Sequence, residues 1–198
     1  MPTAADLIDA LAVASDTRRV ARRFVDLPPG ELDSLLWSED HAHRLAAVMV
    51  MAMQPLTVER VEGYLAAARA ERIDSAELVD ASAEPILGPW LLDRPRNLLF
   101  SLAKSDVVWE RRIAIMATLH FLRAGDDTTT LEIAEKLVRE RSEPIQQSVG
   151  LLLREVGKRV SEPHLLEFLE RNAGRMPRTM LERATEHLGA DARERYLL

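Results

Sequence analysis

Apolar residues recur three and four positions apart along almost the whole chain, as in Leu131, Ala134, Leu137 and Val138 or in Leu165, Phe168 and Leu169, and no stretch alternates as a strand would. That period predicts helices throughout, an all-α fold. The breaks between periodic segments fall at LPPG (27–30), Pro55, Pro85, Pro95, AGDD (124–127), Pro144, Pro163 and Pro177, each placed beside a helix start. Breaks at that density cut the chain into roughly a dozen short helices.

The helix starts also resemble one another. SEDHAHRLAAVM begins at Ser38, SDVVWERRIAIM at Ser105 and SEPIQQSVGLLL at Ser142, each a serine followed by acid and then a helical run. The last two starts are 37 residues apart and the first two 67 apart, which leaves room for one more unit around IDSAELVDASAEPILG. A further unit fits MPRTMLERATEHL near residue 176. A period in the mid-thirties to forty, with two helices per unit, predicts a HEAT-like α-α superhelix of about five to six antiparallel helix pairs with a concave face. The alternative is an ordinary helical bundle. One domain over 1–198 is expected, opening with a helix at about 3–25.

Composition narrows the function classes. Hydrophobic residues make up 47% of the 198 and charged residues 29%, and no apolar run approaches the eighteen or so residues of a membrane span. The N-terminus MPTAADLIDALAVASD carries acids where a signal peptide carries basic residues, so a cytoplasmic protein without a membrane partner is expected. The absence of cysteine excludes disulfides and thiolate metal sites. The five histidines are scattered, and His41 and His43, two apart, point to different faces of a helix. No Gly-rich phosphate loop, GxSxG elbow or HExxH occurs, so no metal, nucleotide or other cofactor is expected, and the chain is expected to be a monomer.

Charge complicates the picture. The net charge of -6 argues against a phosphate-rich partner, yet the excess lies entirely in the first half. Residues 1–100 hold 10 Lys and Arg against 16 Asp and Glu, and residues 101–198 hold 16 of each. Arginines cluster at Arg18, Arg19, Arg22 and Arg23, at Arg111 and Arg112, and at Arg154, Lys158 and Arg159 with Arg175 and Arg178 following. Arg112 precedes the apolar run IAIMATLHFL, so its side chain starts near a packed layer and needs a partner, for which a carboxylate would serve. Trp109 is read as core. Asp80 is the complementary oddity, an acid preceded by Leu78 and Val79 and followed by Ala81 and Ala83. It must cap a helix, pair with an arginine of the next repeat, or face a groove.

Taken in order, SAELVDASAEPILG, SDVVWERRIAIMATLHFLRAG, SVGLLLREVGK and LEFLERNAGRMPRTMLERATEHL resemble the AlkD family of DNA alkylation-repair proteins, from about Leu32 to Leu197. The resemblance implies a HEAT-like solenoid that cups duplex DNA on a basic concave face and, in active members, cleaves the N-glycosidic bond of N3- or N7-alkylated purines. It implies a catalytic pair, an aspartate at Asp80 and, in a W-x-x-R motif, an arginine at Arg112 that grips a backbone phosphate beside it. Arg44, Arg111, Gln147, Ser148, Arg154 and Arg178 are the DNA-facing candidates. The chain departs from the family where tryptophans are expected, at Ala76 and Leu151, where a lysine is expected, at Gln147, and at Glu182 in MPRTMLERA, where an arginine is common. These departures keep a second reading open, a catalytically impaired HEAT-like module that binds DNA structures or a protein.

Overall fold

Every element of the computed structural model, which describes residues 1–197, is a helix, and no strand occurs among the described residues. The all-α class read from the sequence is the observed one. The chain divides into two compact units, Met1–Trp90 and the residues from Leu91 onward.

The first unit runs from α1 (Ala4–Ala12) through α2 (Thr17–Arg23), α3 (Pro29–Leu36), α4 (His41–Met53) and α5 (Val58–Arg69) into α6 (Ala76–Leu91). Local chemistry sets the starts. Thr3 and Asp6 form a reciprocal capping box on α1, and Asp16, Asp40 and Thr57 each accept a first-turn N–H of α2, α4 and α5. The LPPG break is the start of α3, with Pro29 in the first turn, where its missing N–H costs no helical bond. The core gathers on α4, whose Leu45, Ala46, Ala47, Val48, Val50 and Met51 are buried. Both α2 and α3 pack on α4, α1 packs on α2 and α3, and α5 packs on α3. From α5, the fully buried Tyr64 hydroxyl lies 3.0 Å from Ser82 Oγ of α6, and Ser82 donates to the Leu78 carbonyl. Burial raises the Tyr64 phenol far above its usual range.

One predicted break is absent. Pro85 lies inside α6, as does Pro89, instead of marking a helix start. A proline in a helix interior removes a hydrogen bond and costs about 3 kcal/mol. Here Leu78, Val79, Ala83, Ile86 and Leu87, all fully buried, hold the helix through the interruption, since each large aliphatic side chain contributes about 1.5–3 kcal/mol.

The second unit comprises α7 (Asn97–Leu102), α8 (Val108–Ala117), α9 (Leu119–Arg123), α10 (Thr128–Leu137), α11 (Glu143–Arg159), α12 (Glu162–Asn172), a 3-10 turn (Ala173–Arg175), α13 (Arg178–Ala184) and α14 (Ala190–Leu197). Its hub is α11, which packs against α8, α9, α10, α12 and α13. Glycine sets the approach of α13. A Cβ at Gly150 would lie 2.5 Å from the Met180 carbonyl oxygen and 2.7 Å from Arg183 Cβ, and one at Gly157 would lie 2.6 Å from His187 Nε2. Within each unit, helices pack on chain neighbours and on helices two or three places along, the local pattern of stacked helix pairs.

Candidate functional site

Asp80 is the fifth residue of α6 and is exposed, although Leu78 and Val79 beside it are fully buried. Helical geometry removes the conflict. At 3.6 residues per turn Leu78, Ser82, Val79, Ile86 and Ala83 share one face, while Glu77, Asp80 and Glu84 fall on the opposite one. Asp80 therefore does not cap α6. That place is taken by Ser75, whose Oγ accepts the Leu78 N–H at 3.2 Å. Sequence reasoning missed the stripe of three acids, although their spacing of three and four was its signal. Glu77 holds His41 Nε2 at 3.1 Å. A carboxylate row of this kind favours a cation brought against it and disfavours a phosphate.

The predicted arginines divide by what their guanidinium groups touch. Arg44, 5% exposed, donates from Nη1 to the carbonyls of Ser38 (2.9 Å) and Glu39 (2.8 Å) and from Nη2 to both Asp74 oxygens (3.0 and 2.8 Å). Arg111 repeats the arrangement in the second compact unit. It donates from Nη1 to the carbonyls of Ser105 (2.8 Å) and Asp106 (3.0 Å), and from Nε to Glu140 at 2.8 Å. Each arginine stands six residues after the serine that opens its repeat and reaches a carboxylate some thirty residues on. The Ser-acid repeat is thus a clasp, in which an arginine ties the loop before its own helix to the next unit. Glu140 shows the strength of that tie. Burial would raise its carboxyl, but the N–H of Ser142, the Arg111 guanidinium and the N–H of Arg141 together hold it below the usual range.

In the third repeat the clasp position is Ser148, and Arg112 arrives from α8. Ser148, 2% exposed, donates to the Pro144 carbonyl at 2.9 Å, and Arg112, 6% exposed, donates to the same oxygen from Nη1 at 2.5 Å. Two predicted residues therefore meet at the first turn of α11. Gln147 is exposed and reaches Glu143 at 3.1 Å. Arg154 lies between Glu155 (3.0 Å) and Glu186 (2.7 Å), and Arg178 pairs with Glu182 at 2.7 Å across one exposed turn. The hydrogen bond from Arg154 is also the largest influence holding Glu186 below the usual carboxylate range. Trp109 is half-buried instead of core, and Ala76 and Leu151, at the positions of the missing tryptophans, are half-buried as well.

Among the described residues no group of three or more histidine, aspartate or glutamate side chains is arranged to hold a metal ion, and no helix is long and apolar enough to cross a membrane. The family described as DNA alkylation repair enzyme matches residues 12–188. No curated protein and no solved structure matches the chain.

Proposed function

This chain belongs to the DNA alkylation repair enzyme family, and from that premise we propose that it hydrolyses the N-glycosidic bond of N3- or N7-alkylated purines in duplex DNA, with Asp80 as the carboxylate beside the reacting sugar. The observation that carries this reading is the exposure of Asp80 on a helix whose Leu78 and Val79, just before it, are fully buried. A rigid, packed helix presents a charged oxygen at a fixed place, and fixed charge is the most effective kind.

The chemistry asks little more of the protein. Alkylation leaves the purine cationic, so the C1′–N bond breaks with its electron pair going to the departing neutral base. The sugar remains as an oxocarbenium ion, whose positive charge the Asp80 carboxylate stabilises. Water then adds to C1′, and the carboxylate orients that water and accepts its proton, the role such groups play in glycoside hydrolysis. Glu77 and Glu84 share the Asp80 face of α6. In this account Arg44, Arg111 and Arg112 act as fasteners of the scaffold. High-performance separation of bases released from alkylated duplex DNA tests the reaction. Release of 7-methylguanine or 3-methyladenine is expected, and none, under conditions where an active family member releases both, overturns it.

A second reading has its own observations. Ala76 and Leu151 supply no aromatic face for a cationic base, and each missing cation–π interaction forgoes about 0.5–2 kcal/mol. Arg154 and Arg178 are already neutralised by glutamates. These features favour a binding module without chemistry. Duplex binding with no base release is the outcome that selects it.

A further inference from the structure

The arginines of α2 differ from those that clasp carboxylates elsewhere in the chain. Arg44, Arg72, Arg96, Arg111, Arg154 and Arg178 each hold a carboxylate at 3.0 Å or less. Arg18, Arg19, Arg22 and Arg23 are all exposed, and none has a carboxylate partner among the described residues. At 100° per residue the four fall within an arc of about 140°, in two rows one turn apart. The opposite face, Val20, Ala21 and Phe24, is buried against the unit. Asp16 begins the helix, and one of its oxygens accepts the Arg19 N–H at 3.1 Å as the cap.

We propose that this stripe on α2 is an anchor for the phosphate backbone of duplex DNA. Four unpaired guanidinium groups on a packed helix form a dense patch of positive charge in a half of the chain that is otherwise acidic, and arginine matches phosphate geometry. Arg19 and Arg23 also border an open groove of about 460 Å³, walled on its other side by Ala10, Val13 and Ala14, with Val13 89% exposed. A phosphate held at the stripe brings its sugar against this apolar wall. An anionic membrane is the poorer fit. Binding in a bilayer interface needs an apolar helix face free to insert, and that face of α2 is buried. The anchor serves the proposed repair reaction and rests on its duplex partner, though not on its chemistry.

Affinity for an unmodified 20-base-pair duplex, measured across a salt series, tests the proposal. The probes are the full chain, the variant R18Q/R19Q/R22Q/R23Q and the control R139Q/R141Q, each shown to be folded by its thermal transition. Each neutralised phosphate contributes about -0.9 to the slope of log affinity against log salt. The fourfold variant is therefore expected to lose about 2 or more of slope and at least about tenfold in affinity at low salt, and the control to lose much less. An unchanged slope in the fourfold variant, or equal losses in both variants, overturns the anchor. So does binding of the full chain to phosphatidylserine vesicles or to duplex RNA in preference to the DNA. Base release separates the two claims: an unchanged slope with base release intact removes the anchor alone, and a lost slope in a protein that releases no base removes the glycosylase alone.

Discussion

Arg44 and Arg178 show how little a residue type says without its surroundings. Both are arginines with a carboxylate below 3 Å, yet Arg44 is buried and makes four hydrogen bonds, while the Arg178 side chain is 75% exposed and forms a single pair. Removing a buried guanidinium leaves two loop carbonyls and a carboxylate without their donors, so R44M is expected to cost about 2–3 kcal/mol. R178Q, an exposed pair one turn apart, is expected to change stability by about 0.5 kcal/mol or less. Urea denaturation of both variants decides the matter, and equal effects would dismiss the clasp. Asp80 carries the complementary lesson. Its apolar neighbours are neighbours along the chain and not on the helix surface, so of the readings the sequence left open the cap is the one the structure removes.

At the scale of elements, the period of three and four made the helices legible, and the serine-acid starts marked repeats whose arginines turn out to be equivalent. Pro85 was not legible, because proline reads as a stop wherever it stands and only packing from Leu78 to Leu87 reveals that α6 continues through it. Nor was the role of the α11 glycines. Gly150 lies within a motif shared with the family, yet its use here is to admit the backbone of α13. G150A must displace that backbone and is expected to lower stability by about 1–3 kcal/mol, whereas G30A, which meets no atom within 4 Å, provides the control in the same melting experiment.

Over the whole molecule, titration gives stability a pH dependence with two steps on the acid side. His187 is half-buried with both ring nitrogens out of water and without a hydrogen-bond partner, and this burial holds its pKa below the ordinary 6.5. The unfolded chain takes up that proton at about 6.5 and the folded chain only at lower pH, so stability falls as pH drops below about 6.5. A second loss follows below the ordinary carboxylate value of 4.5. Burial would raise Glu155, but bonds from Arg159 and Arg154 hold it lower, and Glu140 behaves alike. Folded-state proton binding therefore lags behind that of the unfolded chain at both steps. Urea midpoints at pH 7.5, 5.5 and 4 are expected to descend in that order, and H187F is expected to flatten the first interval. A midpoint that rises between pH 7.5 and 5.5 would contradict the assignment.

On the proposed reading a family scaffold with two absent tryptophans still runs its chemistry through one carboxylate, Asp80. Single-turnover release of 7-methylguanine from alkylated duplex DNA by the intact protein and by D80N, with duplex affinity measured in parallel, tests it most directly. Removing a charge that acts on the transition state is expected to lower the rate by about 10²–10³-fold, with affinity unchanged or slightly increased because a negative charge near the phosphates has gone. Equal release rates for the two proteins would contradict the account.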